Sequence, residues 1–206
     1  MTTIYLIRHG QASFGAESYD QLSPNGELQA KLLGRYFDEI LKEAPYVVAG
    51  SMQRHQQTAK LSLEECFPES EILTDSAWNE FNHQVFARYE PRFNQPELLK
   101  QDVSEHANPR DYLSKIFTGA IARWTGDDYH HEYDESWPNF KDRVETGLQN
   151  LCDQLAKSRP RYAVVYTSGG VISVAVGKIL GLSPEKTFAL NWAITNTSIT
   201  TLRLVG

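Results

Sequence analysis

Ile4-Tyr5-Leu6-Ile7 is a short apolar run of β-favouring residues that stops abruptly on Arg8-His9-Gly10-Gln11. An apolar run of this length, bounded by a turn signal, predicts a buried strand. In an open α/β sheet, ligands bind beyond the carboxyl ends of the strands. Arg8 and His9 therefore stand where a central strand delivers a cation and a nucleophile into a crevice. Gly10 lets the backbone turn and approach closely there. Taken alone, the tripeptide also fits a surface charge beside a loop histidine. The rest of the chain decides between the two.

Strand and helix signals alternate. After a small, polar loop from Ala12 to Ser18, Ser23 is a good N-cap and Pro24 suits a first helical position. Leu28, Leu32, Leu33, Tyr36 and Phe37 recur at helical spacing and predict the apolar face, and Pro45 bounds the helix near Glu43-Ala44. Tyr46-Val47-Val48-Ala49-Gly50 predicts a second strand, running into Ser51-Met52-Gln53-Arg54 and another helix. Glu71-Ile72-Leu73-Thr74 predicts a short strand, and the loop after it carries Asp75, Trp78, Asn79 and Glu80. Ser136 caps a third long helix with Phe140, Val144, Leu148, Leu151 and Leu155 as its stripe. Tyr162-Ala163-Val164-Val165-Tyr166-Thr167 is the best candidate for a central strand. It ends on Ser168-Gly169-Gly170, and Val171 to Leu180 predicts the following helix. Asn196 to Leu204 alternates threonine with apolar residues and predicts a last, more exposed strand. The alternation implies an α/β fold, with a mostly parallel sheet and helices on both faces.

From about Gln84 to Glu135 the character changes. Charged and aromatic residues interleave, periodicity weakens, and prolines fall at Pro91, Pro96 and Pro109. We expect residues 84–135 to be an insertion of one or two helices that caps the crevice, within one domain spanning 1–206. A surface excursion without a substrate role is the alternative.

Net charge is −6, with 20 basic against 26 acidic side chains, which argues against nucleic acid or an anionic membrane as partner. It leaves room for a small anion, because two arginines in a crevice outweigh a diffuse surface charge. Cys66 and Cys152 lie far apart, and no apolar run reaches the length of a membrane span. The chain starts almost directly in a strand, so a reducing cytoplasm is expected, with both cysteines as small hydrophobes. His130 and His131 stand among Asp127, Asp128, Glu132 and Asp134, which fits a solvated acidic turn better than a metal site. No cofactor or metal is expected.

Three strand ends thus carry chemistry: Arg8-His9-Gly10, Ser51 to Arg54, and Ser168-Gly169-Gly170. A phosphoryl group needs cations and N–H donors around its oxygens, a nucleophile in line with the leaving oxygen, and a proton donor for that oxygen. Two arginines, a histidine and a glutamate meet those needs. Arg8-His9-Gly10-Gln11, followed by Leu22-Ser23 with Gly26, Gln29 and Ala30, resembles the histidine phosphatase superfamily in its phosphoglycerate-mutase-like branch. Ser51 with Arg54, Gln57, Thr58 and Ala59 is similar to its second arginine motif. Asn79-Glu80-Phe81 resembles its acid/base loop, and Glu135-Ser136 with Phe140, Arg143 and Val144 its post-insertion helix. Asn196-Thr197-Ser198-Ile199 is similar to its last strand. The resemblance covers most of the chain outside the insertion. It implies a three-layer α/β/α fold and phosphomonoester hydrolysis on a small phosphorylated substrate or a phosphoprotein. It also implies His9 as nucleophile, Arg8 and Arg54 as oxygen-binding cations, and Glu80 as acid and base. Glu80 lacks the family's usual glycine-rich surroundings and also fits a solvated loop carboxylate. Gln11 and Ser13 are expected beside the phosphate, and equally fit turn residues. His55 and His83 read as supporting or surface histidines.

One position departs from the family. A second histidine usually precedes Gly-Gly at the third strand end, and here Ser168 stands there. A serine donates a neutral hydrogen bond without a positive charge, a difference on the order of tenfold in rate. Gly169-Gly170, opening a helix, still offers backbone N–H groups to an anion. Restoring a histidine at 168 is expected to raise the rate or leave it unchanged. Two other readings stay open: a phospho-ligand-binding protein with weakened turnover, and a mutase. The segment after Gly10 lacks the Trp-Asn-like pattern associated with phosphoglycerate mutases. Oligomeric state is not legible in the sequence.

Overall fold

The computed structural model describes residues 1–13 and 20–205, apart from the side chains of 96, 97, 99 and 100. Most of the loop expected from Ala12 to Ser18, with Tyr19, lies outside the described residues. The chain forms two compact units, one of residues 1–80 with 143–206 and one of residues 81–142.

The larger unit is built on a five-stranded sheet in the order β3-β2-β4-β1-β5. Its strands are β1 (Thr2–Arg8), β2 (Tyr46–Ala49), β3 (Ile72–Thr74), β4 (Tyr162–Thr167) and β5 (Ile199–Leu204). β1, β2, β3 and β4 run parallel, and β5 pairs antiparallel with β1. β4 is buried at every residue, which matches its unbroken run of β-formers. β5 is partly exposed throughout, as its alternating threonines predict.

Helices flank the sheet. α1 (Pro24–Ile40) and α2 (Gln53–Glu64) bury Leu33, Phe37, Ala59 and Leu63 against Ile7, Val47, Val164 and Tyr166. Ile4, Leu6, Ala163 and Val165 point to the opposite side, by the two-residue period of a strand, and are buried there as well. Ser23 accepts from the backbone of Gly26 and caps α1 as expected, but the helix ends at Ile40, before Pro45. Its buried face is Gly26, Ala30, Leu33, Gly34 and Phe37. Leu28, Leu32 and Tyr36, expected on that face, are exposed.

The unit of residues 81–142 holds α3 (Gln84–Tyr89), α4 (Pro96–Glu105) and α5 (Pro109–Thr125), with 3₁₀ turns at Pro91–Asn94 and Asp127–Glu132. Its aromatics form a core of their own. Phe81 packs on Phe86, Trp124 and Phe140, and Phe86 on Phe93 and Phe117. α6 (Trp137–Ser158) follows, with Ser136 Oγ near the Asn139 amide. After β4, α7 (Gly169–Leu180) ends at Gly181 in the left-handed region, φ 63°. α8 (Pro184–Asn191), for which the sequence predicts no element, precedes β5.

Candidate functional site

The carboxyl ends of β2, β4 and β1 lie side by side in the sheet, so Ser51, Ser168 and His9 emerge at one edge. The ladder continues past β1: the His9 amide donates to the Thr167 carbonyl at 2.9 Å. Asn196 Nδ2 holds the His9 carbonyl at 2.9 Å, and Thr58 Oγ1 accepts from the Gly10 amide at 3.0 Å. Gly10 is needed for close approach, since a Cβ there would lie 2.5 Å from the Gly26 carbonyl oxygen at the start of α1.

His9 is buried at 8% exposure, and its ring is fixed at both nitrogens. Nδ1 faces the Gly10 carbonyl at 2.7 Å, an acceptor only, so the proton sits on Nδ1. Nε2 therefore carries the lone pair, and it accepts from Arg54 Nε at 3.2 Å. Burial first, then the Arg54 guanidinium and more weakly Arg8, push the His9 pKa down to about 3 against the pull of the Gly10 carbonyl. The imidazole is neutral and its unprotonated nitrogen faces a cation.

Arg54 comes from the first turn of α2, which the Ser51 to Arg54 segment begins as expected. Its Nη1 also meets Asp20 at 2.6 Å, and the same carboxylate accepts from the Gln53 amide at 2.8 Å. Arg8 sends Nη1 to the Ile194 carbonyl. Its Nε lies 3.7 Å from where a Cβ on Gly169 would be, so the guanidinium stands beside the start of α7.

Glu80 is delivered by a clamped loop. Arg143 Nη1 on α6 gathers the carbonyls of Ser76, Ala77 and Asn79 at 3.1, 3.0 and 2.9 Å. Thr167 Oγ1 donates to the Trp78 carbonyl at 2.5 Å, and Asn79 exchanges two hydrogen bonds with Ser51. The loop thereby reaches the ends of β4 and β2, and Glu80 Oε2 accepts from the Gly170 amide at 3.1 Å. Ser168 Oγ, buried, meets His55 Nε2 at 2.6 Å.

The structure thus brings Arg8, His9, Arg54, Glu80, Ser168 and Gly169 to one end of the sheet. Gln11 and Ser13 have hydrogen-bond partners of their own near the start of α1. Gln11 Oε1 accepts from Ser23 and Asn25 at the entrance of α1, and Ser13 Oγ donates to the Leu22 carbonyl. Neither Asp20 nor the contact of His55 with Ser168 is predicted by the sequence. Asp20 sits in a polar loop without a spacing signal, and His55 reads as a supporting or surface histidine with no partner named. Among the described residues no group of three or more His, Cys, Asp or Glu could hold a metal ion, and no helix is long and apolar enough to cross a membrane.

A family model for the histidine phosphatase superfamily (branch 1) matches residues 4–206. No curated protein sequence matches. Similar solved structures include a phosphoglycerate mutase from Bacillus anthracis, with a TM-score of 0.64 at 16% identity over 97% of this chain and 86% of that one. A phosphoserine phosphatase from Entamoeba histolytica, in complex with 3-phosphoglyceric acid, gives 0.57 at 18% identity over 98% and 90%. A mycobacterial glucosyl-3-phosphoglycerate phosphatase gives 0.58 at 18% identity over 97% and 89%. Identities this low bear on fold alone.

Proposed function

We propose that this chain, which belongs to the histidine phosphatase superfamily (branch 1), hydrolyses phosphomonoesters through a phosphohistidine at His9. The observation that carries the proposal is the state of that imidazole: neutral, its proton pinned on Nδ1, its Nε2 lone pair against Arg54. The Nε2 lone pair attacks phosphorus and the bond to the leaving oxygen breaks. Arg54 passes its Nε–H from the imidazole to a phosphoryl oxygen, and Arg8 holds another as charge redistributes. Glu80 protonates the leaving alkoxide. It then takes a proton from the water that attacks the phosphohistidine and releases inorganic phosphate. The substrate on this reading is a small phosphate ester or a phosphoprotein.

The test is phosphoenzyme trapping with a radiolabelled aryl phosphate. An acid-labile label that disappears in His9→Ala, together with release of phosphate, is the expected result. A label that survives in His9→Ala removes His9 from the chemistry. Bound orthovanadate with no turnover leaves a phospho-ligand-binding protein, the reading that Ser168 favours. Label passing mainly to an added monophosphorylated acid, and not to water, makes the protein a mutase.

A further inference from the structure

Ser168 occupies the N-cap position of α7, where a serine hydroxyl ordinarily accepts from an amide of the first turn. Here it makes no such bond, and the Gly170 amide goes to Glu80. Its hydroxyl turns to His55 Nε2 at 2.6 Å, and both residues are wholly buried. Neither takes part in the phosphohistidine scheme above, yet the His55 and His9 rings are 5.6 Å apart.

The other nitrogen of His55 decides the direction of this bond. Nδ1 has no hydrogen-bond partner among the described residues. It lies against Gly50, where an added Cβ would be 2.2 Å from it and 2.9 Å from Asn79 Oδ1, an oxygen that accepts from the Ser51 amide and makes no hydrogen bond to His55. Burial, with His9 and Arg54 nearby, holds the ring neutral, so it carries one N–H. In this arrangement a proton on Nδ1 would be buried and unbonded, whereas a proton on Nε2 is donated to Ser168 Oγ. Ser168 Oγ is then an acceptor towards His55. Among the described residues, His55 is the one hydrogen-bond partner found for Ser168 Oγ. Ser168 follows Thr167, the partner of Arg8 in the β1–β4 ladder, so it stands across from His9 on the neighbouring strand.

We propose that His55 and Ser168 form a two-residue oxygen-binding arm: His55 Nε2–H orients the Ser168 hydroxyl, whose proton goes to a nonbridging oxygen of the phosphoryl group at His9. Ser168 is the residue that touches substrate and His55 is a positioning residue. This rests on the phosphohistidine reading for its ligand. The imidazole missing from the end of β4 is supplied from α2, one residue after Arg54. On this reading the expectation for Ser168→His is reversed, because 168 is fully buried with the His55 ring 2.6 Å from the serine oxygen.

The experiment has one arm that needs no turnover and one that does. Imidazole ¹⁵N NMR of the wild-type protein should show His55 protonated on Nε2 and bare on Nδ1; the opposite tautomer overturns the proposal. Orthovanadate affinity and kcat should each fall by about tenfold in Ser168→Ala and in His55→Ala. The double variant should fall no further than either single one. His55→Gln, whose amide can still donate to Oγ, should recover most of the loss, which a purely structural role would not give. Losses that multiply in the double variant, or His55→Gln no better than His55→Ala, overturn the arm. Ser168→His should lose activity and Ser168→His with His55→Ala should regain it; a fully active Ser168→His protein also overturns the arm. If wild type binds vanadate without turnover, the phosphatase reading fails while the affinity and NMR arms still decide this proposal.

Discussion

Arg54 serves two partners at once, and a planar guanidinium is what allows it. Nε reaches the His9 lone pair while Nη1 reaches Asp20. A lysine offers one point of charge and cannot span both. Arg54→Lys should therefore weaken orthovanadate binding by roughly 10- to 100-fold, the worth of one hydrogen bond to a charged group; binding within twofold of wild type would remove the fork from the site. Asp20 acts in the other direction. Its carboxylate holds a nitrogen that a phosphate oxygen would use on the proposed mechanism, and it places a negative charge beside the proposed anion site. The pair is half open to solvent on the Asp20 side, so its grip is worth about 1 kcal/mol or less. Asp20→Asn should tighten vanadate binding up to roughly fivefold. Weaker binding would mean that Asp20 serves to aim Arg54 and does not compete with the ligand.

Elements differ in how clearly the sequence announces them, and α1 shows why. Its cap is readable because Ser23 and Pro24 act through local backbone geometry. Its buried face is not readable from large apolar residues, because two of the contact positions are Gly26 and Gly34, and a third is Ala30. Small residues let α1 lie close on the Gln11 and Ser62 backbones, where a Cβ on Gly26 or Gly34 would come within 2.1 Å of a carbonyl oxygen. The stripe rotates accordingly, and Leu28, Leu32 and Tyr36 turn outward. Leu33→Ala should cost about 2–5 kcal/mol in urea denaturation, whereas Leu32→Ala should stay within about 0.5 kcal/mol. Equal losses would put both on the buried face. The strand ends are legible because a run of β-formers stopping on Arg8-His9-Gly10 or Ser168-Gly169-Gly170 is a local pattern. Arg143 is legible only through the family motif. That it gathers three carbonyls of the Glu80 loop depends on contacts more than sixty residues apart in sequence, which no spacing encodes. α8 carries the same Ser-Pro entrance as α1, at Ser183-Pro184, but buries only Thr187 and Phe188, so it has no stripe to read.

At the scale of the whole molecule, the site is maintained at a cost that depends on pH. His9 is neutral when folded, with a pKa of about 3, while an unfolded histidine titrates near 6.5. Between these values the unfolded chain binds a proton that the folded chain refuses. Stability is therefore complete above about pH 6.5 and is lost as pH falls towards 3. For His9 alone the loss between pH 6.5 and 4.5 is about 2 kcal/mol at most. His55, lowered in the same direction by burial and by the nearby His9 and Arg54, adds to it. Global charge works the other way in the upper part of this range, because the chain carries −6 at pH 7 and has a sequence pI near 5.5. Acidification to the pI removes self-repulsion. The two effects separate in a comparison of wild type with His9→Gln, since the substitution removes the titration and leaves the rest of the charge in place. Urea midpoints measured from pH 7.5 down to 4.5 should fall more steeply for wild type than for His9→Gln, with the curves parting below about pH 6.5. Parallel curves would mean that the imidazole is protonated alike in both states. The proposed attack needs the Nε2 lone pair, so the measurement tests whether the fold itself, through burial and the neighbouring guanidinium groups, holds the imidazole in the form that carries it.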